Sequence, residues 1–98
     1  MTNFLIWSDR ALKEFGKLQE YLSEEWGEEI AKRVINEIDQ TASRIQNSPE
    51  HFPFFSKRKK IRRCVASPQT SIFFSLNQDT VEIISVFDNR QNPKKRKL

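Results

Sequence analysis

Two amphipathic stripes separated by a single glycine constrain this chain most. Ala11, Leu12, Phe15, Leu18 and Leu22 recur at helical spacing, with Lys13, Glu14, Lys17 and Glu20 turned outward. Gly27 breaks that pattern, since glycine readily takes the backbone conformation that ends a helix. A second stripe, Ile30, Val34, Ile38, Thr41 and Ile45, predicts a helix from about Glu28 to Gln46, with Glu28 and Glu29 at the positive end of its dipole and Pro49 closing it. So short a connection implies an antiparallel helical hairpin. Its apolar side must be covered by the rest of the chain, and only strands are available to do so.

The strands are legible on both sides of the hairpin. Phe4-Leu5-Ile6-Trp7 is β-prone and stops at Ser8-Asp9, either of which can cap the first helix. Downstream, Ile61 to Ala66, Ser71 to Leu76 and Val81 to Phe87 form three runs joined by the turn-rich Ser67-Pro68-Gln69 and Asn77-Gln78-Asp79. Ile72, Phe74 and Leu76 fall on one face of the middle run. The segment from His51 to Ser56 is apolar but interrupted by Pro53, and is expected to run extended along the core edge outside any regular element. The expected fold is therefore α+β: an N-terminal strand, then an antiparallel helical hairpin packed on a mostly antiparallel four-stranded sheet. At 98 residues the chain reads as one domain, 1–98, with a basic tail from about residue 91.

Charge divides the chain in two. Residues 1–50 carry ten acidic and six basic side chains, net −4, and residues 51–98 carry three and eleven, net +8. The positive charge is gathered into Lys57-Arg58-Lys59-Lys60-Ile61-Arg62-Arg63 and into Arg90 with Lys94-Lys95-Arg96-Lys97, which suits a polyanionic partner. Because the third of these strands reverses direction twice relative to the first, the two bursts are expected near opposite ends of parallel-running strands, and the Arg90 tail must fold back toward Lys57–Arg63 if they are to cooperate. Arg62 and Arg63, being adjacent in a strand, point to opposite faces, so at most one joins a given site. Cys64 is the only cysteine, which excludes an internal disulfide, suits a cytoplasmic setting and reads as packing. His51, the only histidine, reads as a loop residue. Asp88 and Glu82 are too few and too separate for a metal centre, there is no nucleotide-binding glycine motif, and no apolar run is long enough to span a bilayer. No cofactor, metal or membrane partner is expected.

The order of elements, together with Trp7-Ser8-Asp9-Arg10-Ala11-Leu12-Lys13-Glu14-Phe15, Ile61-Arg62-Arg63, Thr70-Ser71-Ile72-Phe73-Phe74 and the closing Phe87-Asp88-Asn89-Arg90-Gln91-Asn92-Pro93, resembles the RelE/ParE superfamily of toxins from bacterial type II toxin–antitoxin modules. The resemblance implies a growth-arresting toxin neutralised by a cognate antitoxin. It leaves two targets open: DNA gyrase for ParE-like members, or ribosome-bound mRNA cut by RelE-like members.

RNA cleavage through a 2′-hydroxyl needs a base, a cationic clamp for the phosphorane and an acid. In the RelE-like pattern Lys57, Lys59 and Lys60 match the loop lysines and Arg90 the final arginine. Ser71 stands where a mid-sheet arginine belongs, and no Tyr or His follows Arg90. The set is incomplete, so whether the chain is an enzyme stays open, with Lys59, Lys60 and Arg90 the catalytic candidates and Lys57, Lys59, Lys60, Arg62, Arg63 and Arg90 the residues expected to bind the target or nucleic acid. The reading favoured by these residues is ParE-like or divergent. A RelE-type interferase, with Arg62 or Arg63 standing in for the missing arginine, is the alternative. A non-toxic nucleic-acid-binding module is a third reading, disfavoured because no exposed stacking aromatics are expected on the strands.

Overall fold

The computed structural model describes residues 3–90. Strand β1 (Phe4–Trp7) leads into helix α1 (Asp9–Trp26), and α2 (Glu28–Asn47) follows after Gly27 alone. A 3₁₀ turn (Pro49–His51) precedes β2 (Phe54–Ser56), β3 (Ile61–Ser67), β4 (Thr70–Asn77) and β5 (Thr80–Asp88). The sheet has five strands in the order β1-β5-β4-β3-β2, with β1 parallel to β5 and the other pairings antiparallel.

Local chemistry sets the helix boundaries. Ser8 Oγ accepts a hydrogen bond from the Ala11 amide at 3.0 Å, satisfying one of the free N–H groups of the first turn of α1. Gly27 sits at φ 93°, where a Cβ would be strained, and so can end one helix and begin the next within a single residue. Ala11, Leu18 and Leu22 of α1 and Ala31, Val34, Ile38 and Ile45 of α2 pack with Cys64, Ile72, Phe74, Val81, Ile83 and Val86 of the sheet to form the main core. Ile61, Phe73 and Phe87, with Ile84 against them, form a smaller cluster without helical members, on the opposite face of the sheet. Phe73 and Phe74, alternating neighbours on β4, are both fully buried; each contributes about 1.5–3 kcal/mol by leaving water.

Three expectations from the sequence are corrected. The sheet has five strands, not four, because Phe54–Ser56 pairs with β3 (Phe54 with Arg62, Ser56 with Ile61) through a shift in register. Pro53 does not prevent this: it lies just before the strand, and its carbonyl accepts from the Arg63 amide at 3.1 Å. Leu12 does not belong to the buried stripe and is 54% exposed. Helical geometry places it about 100° round from Ala11, off the line through Ala11, Leu18 and Leu22. Glu14, expected to face solvent, instead accepts at Oε1 from Ser85 Oγ (2.7 Å) and from the Val86 amide (3.3 Å). The cause lies in β5. The pairing with β1 ends at Ile83, and the β4 ladder shifts register between Phe73 and Phe74. Beyond Ile83 the outer edge of β5 therefore lacks a strand partner, and the Glu14 carboxylate fills that role.

The basic groups stand at opposite ends of the sheet, as the strand order leads one to expect. Thr70, opening β4, pairs with Asp88 at the end of β5, and Asn89 N–H donates to Gln69 O. Arg90 is therefore at the β3–β4 turn. The Lys57–Lys60 turn lies at the other end, since Arg62 pairs with Phe74. The seven residues of β3, or ~23 Å, separate the two. A strand leaving β4 antiparallel must finish beside the start of β4, and the tail that would have to fold back toward Lys57–Arg63 lies outside the described residues. The remainder of the second burst, Lys94–Lys97, falls outside the described residues.

Candidate target-binding edge

The β2–β3 hairpin carries most of the residues singled out by charge. Lys57, Arg58, Lys59 and Lys60 form its turn and are all exposed. The turn closes through Lys60 N–H to Lys57 O (3.2 Å) and Lys59 N–H to Ser56 Oγ (3.2 Å), with Lys60 at φ 57°. Four consecutive cations repel one another, and the hydrogen bonds that hold the turn come from backbone groups and Ser56.

Arg62 and Arg63 diverge as strand alternation requires. Arg62 Nη1 donates to Phe52 O at 2.7 Å, and its guanidinium lies 4.0 Å from the centre of the Phe54 ring. Much of its bonding capacity is thereby tied to the hairpin itself. Arg63 turns to the other face, donates from Nε to Ser71 Oγ at 3.1 Å and stands 6.0 Å from the Phe73 ring. Phe55 meets the same Phe73 ring edge-on at 4.8 Å.

The sequence reading missed the aromatics of this edge. Phe54 and Phe55 remain 42% and 46% exposed, which corrects the expectation that the strands lack exposed stacking aromatics. The available signal was the contact in sequence between Phe54-Phe55 and the first basic burst; Pro53 argued against a strand there and hid it. From His51 to Gln78 the chain contains no acidic residue, so nothing within that span offsets its cations.

Arg90 occupies a different environment. Asp88 is fully buried: Thr70 Oγ1 donates to its Oδ2 in a short hydrogen bond, and the Arg90 amide donates to its Oδ1 at 2.9 Å. Arg90 Nη1 lies 3.5 Å from Asp88 Oδ2, and Nη2 donates to Gln69 Oε1 at 3.0 Å. The Arg90 carbonyl accepts from Tyr21 Oη at 2.7 Å, tying the end of the sheet to α1. This arginine is held by the fold on several sides.

The remaining candidates are quiet. His51 is exposed in the 3₁₀ turn and lines a shallow cleft of about 610 Å³ with Glu50 and Asp79, with which it forms no ion pair. Cys64 is buried with its Sγ 3.7 Å from Arg44 Nη2; burial raises the thiol pKa, and Arg44 lowers it by less. A thiol held protonated is a poor nucleophile. Among the described residues no cluster of His, Cys, Asp or Glu could hold a metal ion, and no helix is long and apolar enough to cross a membrane.

The comparisons with known proteins fit this geometry. A chain of the chromosomal ParDE toxin–antitoxin system from P. aeruginosa is similar, with a TM-score of 0.77 at 15% identity over 89% of this chain and 96% of that one. A chain of the RelBE2 toxin–antitoxin complex from Mycobacterium tuberculosis matches with a TM-score of 0.67 at 12% identity, over 90% and 99%. A chain of the E. coli DinJ–YafQ complex matches with a TM-score of 0.60 at 12% identity, over 92% and 96%. At such identities the likeness is one of fold. No curated protein matches. The family model of the ParE toxin of type II toxin–antitoxin systems matches residues 5–93. With that match spanning all the described elements but the first residue of β1, the chain belongs to the ParE toxin family, within the RelE/ParE superfamily that its sequence resembles.

Proposed function

We propose that the chain arrests growth by binding and poisoning DNA gyrase in the cytoplasm, engaging its target through the basic β2–β3 edge. The observation that supports this over RNA cleavage is the separation of the candidate catalytic groups. Lys59 and Lys60 stand at one end of the sheet and Arg90 at the other, engaged with a buried carboxylate. General acid–base chemistry on one phosphate needs its groups within hydrogen-bonding reach of the same atoms, and a backbone separation of ~23 Å is far beyond that. Expression of the toxin alone in a bacterial host, with total RNA and plasmid topology followed during growth arrest, tests the reading. Gyrase-linked DNA breaks with intact messengers are expected; messenger fragments with unaltered topology would refute it.

One contact favours the second reading, a ribosome-dependent mRNA interferase. Arg63 from β3 reaches Ser71 Oγ, so its guanidinium lies beside the position where the RelE-like pattern has its mid-sheet arginine. It supplies a cation there, though not an acid or a base.

The proposed partner in the resting state is a cognate antitoxin, which covers apolar patches such as Phe4, Ile6 and Val65 while its acidic groups meet the basic half. Co-purification with the product of the neighbouring gene should give a stoichiometric complex that survives moderate salt. A complex that dissociates there would mean that charge alone holds it.

A further inference from the structure

We propose that the β2–β3 edge binds a single nucleic-acid strand, with the Phe55 ring as a stacking platform for one base and the Lys57–Lys60 turn and Arg63 holding the flanking phosphates. The proposal refines the basic-edge reading above by naming the chemistry that the edge contacts, and it is tested without gyrase or ribosome.

Three observations converge. Phe55 is 46% exposed yet braced, its ring set edge-on against the fully buried Phe73 at 4.8 Å, so the platform is presented without losing order on binding. Arg63 approaches the same Phe73 ring from β3, which puts a guanidinium and an exposed aromatic on one face of the hairpin. The turn that follows Phe55 by two residues carries four exposed cations, in a span from His51 to Gln78 without any carboxylate. An exposed aromatic next to a continuous cationic track is the combination that captures unpaired bases: the ring stacks on any base while the cations follow the backbone. Phe54 is the weaker candidate, since Arg62 already lies over its ring at 4.0 Å. A duplex would offer the same phosphates but no free base face, so the arrangement selects a single strand.

The test is fluorescence anisotropy of the full-length toxin with labelled oligothymidylate, oligouridylate and a matched DNA duplex, each of about twelve nucleotides per strand, across a salt series. At least one single strand is expected to bind more tightly than the duplex, and whether it is the DNA or the RNA strand identifies the source of the ligand. Phe55→Ala should weaken single-strand binding about tenfold or more with the salt slope unchanged, since it removes a stack and no phosphate contact. Phe55→Trp should restore it, which separates loss of stacking from loss of folding. Lys59→Ala combined with Lys60→Ala should instead flatten the slope of log K against log salt by about 1.4, from about 0.7 per phosphate on a single strand. Equal binding of duplex and single strands, or single-strand affinity unchanged in Phe55→Ala, would overturn the proposal. So would a Phe55→Ala variant that binds the oligonucleotides normally but loses its antitoxin, which would make the ring a protein contact. Confirmed strand binding with gyrase unaffected would leave this site standing and reject the gyrase reading alone.

Discussion

Arg90 illustrates how one residue can carry a family signature and still be explained by packing. Its position before Pro93 matches the RelE-like closing pattern, but the partner that decides its conformation is Asp88, buried two residues earlier. Removing the guanidinium would leave that carboxylate without its counter-charge, although Thr70 and the Arg90 amide would still satisfy some of its lone pairs. Arg90→Ala should therefore cost about 2–3 kcal/mol in urea unfolding, and Asp88→Ala at least as much. Arg90→Lys keeps the charge but not the planar fork that reaches Gln69, and should fall between. If both Arg90 variants fold and arrest growth fully, its role is structural; folded but harmless variants would return it to the target-binding set. The sequence could place Arg90 after the last strand but could not show whether it faced a phosphate or Asp88. That choice depends on the pairing of Thr70 with Asp88 across two strands.

At the scale of elements, the helices and β3 to β5 were legible because each buries a periodic face, and periodicity is what a sequence displays directly. What was hidden depended on neighbours. β2 is only three residues long and exists through its pairing with β3; Glu14 looks solvated until the outer edge of β5 is seen to lack a strand beyond Ile83. The inward role of Glu14 makes a direct prediction. Glu14→Ala leaves the Ser85 hydroxyl and Val86 amide without their acceptor and should destabilise the fold by about 1–3 kcal/mol, while Glu14→Gln, which keeps a carbonyl oxygen, should lose less. Both values follow from chemical denaturation. The β2–β3 turn should behave in the opposite way. Lys59→Ala with Lys60→Ala removes mutually repelling charges from an exposed turn, and neither change alters the backbone bonds that close it. Lys60 sits at φ 57°, but lysine and alanine both carry a Cβ, so the substitution adds no new strain. The melting temperature should stay nearly constant while growth arrest weakens. A large drop in melting temperature with unchanged toxicity per folded molecule would show that these lysines serve the fold.

For the whole molecule, the division of charge is also a division of labour. The acidic first half supplies β1 and the helical hairpin, and the basic second half supplies the other four strands and the edge proposed above to face a polyanion. The arrangement suits binding better than turnover, because the cations lie along an edge and do not converge on one point. The direct measurement is gyrase-mediated DNA cleavage in vitro with purified toxin, parent and Lys59→Ala/Lys60→Ala variant side by side, on supercoiled plasmid with ATP. The parent should accumulate linear DNA that remains covalently linked to gyrase, the variant should accumulate much less, and addition of the antitoxin should abolish the effect. Unchanged gyrase cleavage and supercoiling by a parent toxin that arrests growth in cells would contradict the gyrase reading.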